Sequence, residues 1–220
     1  MHDIRVEVGY DVLQANEALA EKNRRLLDGF GVTGFNIMGA IGSGKTTLIE
    51  LAIESLGDKY GIGAIAGDIV ADIDADRFKS HGTPTVSLNT GKECHLDANL
   101  VEHAIGQLPL DDMDILFIEN VGNLVCPTDY SLGEHHRVVV VSVSEGDDIV
   151  EKHPMIFRTC GLAIVNKVDI AEAVDADAGK MIDDALRNNP RIKALKTSKT
   201  TGEGIDDWIK FIEVNVNARR

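Results

Sequence analysis

The sequence predicts an α/β fold, a mostly parallel central sheet with helices on both faces. Three observations carry that expectation. Seven short apolar runs alternate with segments of helical periodicity, the pattern of strands joined by crossover helices. A glycine-rich octapeptide follows the first run and opens a helical segment, as phosphate-binding loops do. An Asn-Lys-x-Asp tetrapeptide closes a later run, and ligands of such sheets bind at the carboxyl ends of the strands.

At 220 residues the chain fits one domain, 1–220, with a sizeable core, and no linker, repeat or low-complexity tract divides it. Its 22 basic and 36 acidic residues leave a net charge of −14, which disfavours nucleic acid, because phosphate-backbone affinity comes from Lys and Arg displacing counterions. No cationic start leads into an apolar core and no apolar run approaches the length of a membrane span. A cytoplasmic location with no membrane association is therefore expected. Three cysteines in such a chain do not suggest a disulfide framework, so metal or redox chemistry is the better question.

The elements follow in chain order. Within 1–32, Val12, Leu13, Asn16, Leu19, Ala20, Asn23, Leu26 and Leu27 fall at helical spacing, predicting an amphipathic helix packed on the domain. The first strand, Phe35 to Met38, leads into Gly39-Ala40-Ile41-Gly42-Ser43-Gly44-Lys45-Thr46, which fits G-x-x-x-x-G-K-[ST]; Thr47, Leu48, Leu51 and Ala52 continue it as a helix. Backbone N–H groups of such a loop converge on phosphate oxygens, Lys45 reaches the β- and γ-phosphates, and the Thr46 hydroxyl holds Mg²⁺. Strands at Ile62 to Ala66 and Thr85 to Leu88 flank Gly67-Asp68-Ile69-Val70-Ala71-Asp72-Ile73-Asp74-Ala75-Asp76-Arg77, too polar to be wholly buried. One of Asp68 and Asp74 is expected to complete the Mg²⁺ site or orient the attacking water, and the sequence favours neither. This segment is the natural switch, ordered by γ-phosphate and metal and released on hydrolysis.

The run Ile115 to Ile118 ends in Glu119-Asn120-Val121-Gly122, where Glu119 serves Mg²⁺ directly or through water and Gly122 stands where the γ-phosphate is sensed. Strands follow at Val138 to Val143 and Leu162 to Val165. The second of these closes on Asn166-Lys167-Val168-Asp169, the N-K-x-D box of GTPases. An ionised Asp169 accepts guanine's N1–H and exocyclic N–H together, a pair of donors that adenine does not present. A last strand, Ile192 to Leu195, precedes Thr197-Ser198-Lys199, expected to form a second loop against the base.

Two further segments are unlike a generic GTPase, Glu93-Cys94-His95-Leu96-Asp97 and Asn123-Leu124-Val125-Cys126-Pro127. Two thiolates and an imidazole suit Zn²⁺ or Ni²⁺ but supply only three ligands, so a closed site needs another group or a second copy of the chain. The alternative is that Cys94 and Cys126 are small buried hydrophobes and His95 a surface histidine. Their place beside two nucleotide-sensing segments favours metal. Cys160, before the N-K-x-D strand, reads as core. The pair His135-His136 could also be recruited, although adjacent histidines in a polar stretch are more often solvent-exposed.

Together the G-A-I-G-S-G-K-T loop, Gly67-Asp68-Ile69, the run Asn89 to Ala98, the run Glu119 to Pro127, Glu145-Gly146-Asp147-Asp148 and the N-K-x-D box resemble the HypB family, the nickel-incorporation GTPases of nickel-iron hydrogenase maturation. The resemblance spans nearly the whole chain. It implies a P-loop NTPase fold of the SIMIBI class and a homodimer that binds GTP and GDP with Mg²⁺. It further implies nickel or zinc on Cys94, His95 and Cys126, a HypA-type metallochaperone as partner, and delivery to the hydrogenase large subunit precursor. It also implies that Lys152 reaches the nucleotide of the other protomer. Two departures stand out. The chain begins Met1-His2-Asp3-Ile4-Arg5, without the cysteine motif or histidine tract that some relatives use to store nickel, and Asn99 stands where some archaeal relatives place another histidine. Two other readings remain. A urease accessory GTPase carries Cys-Pro-His where Thr128 here follows Cys126-Pro127, and a P-loop kinase or ATPase would not call for the N-K-x-D box.

Overall fold

The computed structural model describes residues 4–68, 73–91 and 94–220, with residues 4–10 and Asp68 described as backbone. In chain order the elements are α1 (Ile4–Phe30), β1 (Thr33–Gly39), α2 (Lys45–Leu56), β2 (Ile62–Asp68), α3 (Ile73–Ser80), β3 (Thr85–Asn89), α4 (Ala98–Ile105) and β4 (Ile115–Gly122). They continue with β5 (His136–Ser142), α5 (Ile149–Lys152), α6 (Pro154–Thr159), β6 (Leu162–Asn166), α7 (Ala178–Asn188), β7 (Lys193–Thr197) and α8 (Ile205–Asn217). The seven strands form one sheet in the order β3-β2-β4-β1-β5-β6-β7, and every pairing is parallel.

The two-residue period of a strand sorts its side chains between the faces. Phe35, Ile37, Ile115, Phe117, Val138 and Val140 point to one face and pack with Leu48 and Ile49 of α2 and Trp208 and Ile212 of α8. Their chain neighbours point to the other face. Leu116 and Ile118 meet Leu27 of α1 and Val101 and Ile105 of α4, while Val139 and Val141 meet Phe157 of α6 and Met181 of α7. Strands buried on both faces read as continuous apolar runs, which made the central ones legible, whereas the edge strands β3 and β7 are only partly buried.

Several strand boundaries differ from expectation, among them the start of β1 at Thr33, the end of β2 at Asp68 and the start of β5 at His136. β4 runs on through Glu119 to Gly122, because Ile37 pairs with Glu119 and Gly39 with Gly122 across the ladder to β1. β5 stops at Ser142, whose hydroxyl accepts from Ser144 N while Glu145 accepts from Ser142 N, a capping box that turns the chain out of the sheet one residue before Val143. β7 is set two residues later at its end, reaching Thr197. The buried face of α1 is Asn16, Ala20, Asn23 and Leu27, all within the set read at helical spacing, whereas Val12, Leu13 and Leu26 of that set are exposed. The asparagines are buried because they satisfy loop backbone. Asn16 accepts from Ala98 N and donates to Ser131 O, and Asn23 donates to Ala98 O and Leu132 O. Among the described residues no helix is long and apolar enough to cross a membrane.

Candidate nucleotide and metal sites

The carboxyl ends of β1, β4, β6 and β7 bring three sequence motifs to one rim of the sheet. Between β1 and α2 the octapeptide closes on itself, with the Lys45 ammonium donating to Gly39 O and Ala40 O at 3.2 Å each. A cavity of about 410 Å³ opens over it, lined by Gly42, Gly44, Lys45, Thr46, Thr47, Gly67, Asp74, Arg77, Glu119 and Gly122 among others. Its glycines are required by contact. A Cβ on Gly44, at φ +103°, would lie 2.2 Å from Asn166 Nδ2, one on Gly39 would lie 2.2 Å from Val140 O, and one on Gly122 would strike Ile41.

The metal corner of this cavity is marked by Thr46, whose hydroxyl donates to Glu119 Oε1 at 2.8 Å. Glu119 is 3 % exposed and its Oε2 has no hydrogen-bond partner. Burial pushes its carboxyl up to about 7, against the opposing pull of the Lys45 charge. The Thr46 hydroxyl and the Glu119 carboxylate, one of whose oxygens has no partner, form a hard oxygen set that fits Mg²⁺. Asp74, at the start of α3, lines the same cavity. The Asp68 side chain lies outside the described residues, as do Ile69–Asp72 and Lys92–Glu93.

Three Arg77 contacts here were not anticipated. Arg77 pairs with Glu50 through Nε and Nη2, donates to the Thr47 hydroxyl at 3.3 Å, and lies 3.7 Å from Asp74. Because Arg77 and Glu50 are 27 residues apart in the chain, no local pattern announces the pair.

At the base-binding end, Asn166 does not face outward. Its Nδ2 donates to Ser43 O and its Oδ1 accepts from the Thr197 hydroxyl, so it ties the phosphate loop to β7. Lys167 adopts φ +61°, a conformation uncommon for a residue with a side chain, and its ammonium donates to Gly42 O at 2.7 Å. Asp169 accepts from the Ser198 hydroxyl at 2.6 Å, which holds its carboxyl below the usual range and so ionised at neutral pH. Thr197 is thus buried beneath the site and Lys199 is exposed, while Ser198 between them orders Asp169. Lys152 is exposed, pairs with Asp148 at 2.5 Å, and does not line the phosphate cavity.

The sulfur-rich segments meet as well. Cys94 Sγ lies 2.6 Å from Cys126 Sγ and 3.9 Å from His95 Nδ1, and the three ligand atoms fall within 4.8 Å of one another. All three residues are half-buried, and the His95 ring packs on Tyr130 at 3.8 Å between centroids. The reading of Cys94 and Cys126 as separate core hydrophobes does not hold, since they converge with an imidazole on one point. Soft and borderline donors so spaced fit Ni²⁺ or Zn²⁺. Cys160 is buried apart from them, its thiol pushed up to about 12 by burial.

His135 and His136 are neither exposed nor near this cluster. His135 Nδ1 accepts from Gly34 N, its Nε2 bonds Asp28, and His136 stacks on Phe35, all toward the amino-terminal edge of the sheet. His135 is satisfied by Gly34 and Asp28, whereas His136 Nε2 is buried without a hydrogen-bond partner.

Comparison with known proteins agrees with this layout. The family described as CobW/HypB/UreG, nucleotide-binding domain, matches residues 33–196. The chain is 55 % identical over 217 residues to a probable hydrogenase maturation factor HypB of Methanocaldococcus jannaschii, covering 98 % of each. Among solved structures it is similar to HypB of Archaeoglobus fulgidus, at 51 % identity and a TM-score of 0.88, covering 92 % of this chain and 99 % of that one. It is also similar to HypB of Helicobacter pylori in complex with nickel, at 31 % identity and a TM-score of 0.88, covering 93 % and 96 %.

Proposed function

The chain belongs to the HypB proteins of the CobW/HypB/UreG nucleotide-binding family, and from that premise we propose that it is a Mg²⁺-dependent GTPase that delivers nickel to the large subunit precursor of a nickel-iron hydrogenase. It acts in the cytoplasm as a homodimer, with a HypA-type metallochaperone as partner. The observation that carries this reading is the convergence of Cys94, His95 and Cys126 in a chain that also holds a guanine-type nucleotide site.

Each residue has a physical task. Lys45 neutralises the β- and γ-phosphates, the backbone of Gly39 to Thr46 cradles them, and Thr46, Glu119 and Asp74 or Asp68 hold the cation that supplies charge stabilisation when bound. Phosphoryl transfer is mostly positioning and electrostatics, so no covalent partner is required. Asp169 reads the base and Asn166, Lys167 and Thr197 fix it against the phosphate loop. Three metal ligands per chain leave a tetrahedral or square-planar ion incomplete, whereas two chains meeting about a two-fold axis contribute six. Lys152, exposed and away from its own cavity, is free to serve the nucleotide of the other protomer when its Asp148 pair opens.

Competition between GTP and ATP tests the reading at its base. GTP is expected to win by at least about a hundredfold, the worth of two charge-assisted hydrogen bonds. Equal affinities would turn the reading to a P-loop kinase or ATPase.

A further inference from the structure

Both halves of the Cys/His cluster hang from one buried polar network, and that network begins beside the phosphate cavity. Asn120, fully buried in β4, is next in the chain to Glu119. Its Oδ1 accepts from Leu96 N at 3.2 Å and from Val121 N at 3.0 Å, and its Nδ2 donates to Asn36 Oδ1 at 3.2 Å. Since Leu96 follows His95, the first of these bonds fixes the exit of the Cys94-His95 loop.

From Asn36 the network turns toward the other thiol. Asn36 Nδ2 donates to Glu134 Oε1 at 3.2 Å, and the same oxygen accepts from Arg137 Nε at 2.5 Å while Oε2 accepts from Leu132 N at 2.7 Å. Arg137 then donates to Thr128 O at 3.1 Å and Tyr130 O at 2.9 Å, the backbone of the loop that carries Cys126 and the ring against His95. Burial pushes the Glu134 carboxyl up, but the Arg137 charge and the Leu132, Arg137 and Asn36 hydrogen bonds outweigh it and keep the group ionised. Asn36 and Asn120 are fully buried and Glu134 is 3 % exposed, so an unpaired group anywhere in the chain of bonds would be expensive. The members therefore move together or not at all.

We propose that Asn120 is a positioning residue that couples nucleotide to metal. In one state Thr46 bonds Glu119; in the other that bond gives way to nucleotide and cation, and the shift of Glu119 carries Asn120 with it. Leu96 N follows, and Asn36, Glu134 and Arg137 pass the displacement to the Cys126 loop, so the spacing of the thiols differs between the two states. This deepens the proposed function and rests on it.

The test is nickel affinity, read by competition with a chromogenic chelator at saturating GTP analogue and at saturating GDP, with nickel–thiolate absorbance recorded alongside. Wild type is expected to differ by at least about fivefold between the two states. Asn120→Ala is expected to bind nickel with its thiolate absorbance intact but with that difference collapsed. Asn120→Asp keeps the acceptor for Leu96 N and Val121 N but loses the donor to Asn36 Oδ1, so it is expected to retain part of the difference, the part carried by the Cys94-His95 loop. Hydrogen exchange at the Leu96 amide of wild type reads the same bond without any substitution, and its protection is expected to differ between the two nucleotide states. The inference is overturned if Asn120→Ala keeps the wild-type difference, if Asn120→Asp loses it as fully as Asn120→Ala, or if Leu96 is equally protected in both states. Wild type that binds nickel equally with either nucleotide overturns the coupling while leaving nickel delivery standing. A wild type that shows no nickel–thiolate absorbance contradicts the delivery reading itself.

Discussion

Asp169 is held in place by a hydroxyl 29 residues away, Ser198, whose hydrogen bond keeps the carboxylate ionised. If this carboxylate reads guanine's two donors, Asp169→Asn exchanges an acceptor for a donor at one of them. GTP affinity should then fall by roughly a hundredfold or more, and xanthosine triphosphate, which offers an oxygen there, should gain. Titration of both nucleotides into the variant checks this; unchanged preference for GTP would remove Asp169 from the base. Asp169 was legible because it stands in a contiguous tetrapeptide at a strand end. Ser198 was visible only as a member of a loop, and Arg77 only as the last residue of a polar segment. Their partners, Asp169 and Glu50, are distant in the chain, and a sequence pattern does not register contacts made through space.

The phosphate loop, as an element, is tied to the N-K-x-D turn by side chains that cross between them, Asn166 to Ser43 O and Lys167 to Gly42 O. Disturbing one should therefore disturb the other. Gly44→Ala places a methyl group where Asn166 Nδ2 now lies, 2.2 Å away, and at a positive φ that alanine resists. Nucleotide affinity is expected to drop by about tenfold to a hundredfold, equivalent to about 1–3 kcal/mol of strain, with circular dichroism unchanged. Wild-type affinity in this variant would mean that the two loops are not coupled. At this scale most of the architecture was readable, since continuous apolar runs admit few meanings once they alternate with helices. The face read for α1 included Asn16 and Asn23, which are buried because the loop backbone around Ala98, Ser131 and Leu132 needs amides, whereas Val12, Leu13 and Leu26 of the same set are exposed. Asn36 and Asn120, polar residues within or just after strand runs, were the visible trace of the network beneath the metal loops.

For the molecule as a whole, His135 and His136 make acid the stress to apply. Burial lowers both to about 4, well below the ordinary value of 6.5. A histidine with a depressed folded pKa takes up its proton more readily when unfolded. Its contribution to stability is complete above about pH 6.5 and is lost as the pH falls through about 4. Denaturant midpoints should decline across that window in wild type and less steeply in His136→Phe, which keeps the stacking on Phe35; equal slopes would place the acid sensitivity elsewhere. The larger question is whether nucleotide and metal belong to one device. Nickel bound per chain, together with mass by sedimentation, should be measured with a GTP analogue and with GDP for wild type, Cys94→Ala and Cys126→Ala. A GTPase that delivers nickel is expected to dimerise with the analogue, to bind nickel with an affinity that depends on the nucleotide, and to lose that binding in both variants. Nickel held equally by the variants and the wild type, or with the same affinity in both nucleotide states, would contradict it.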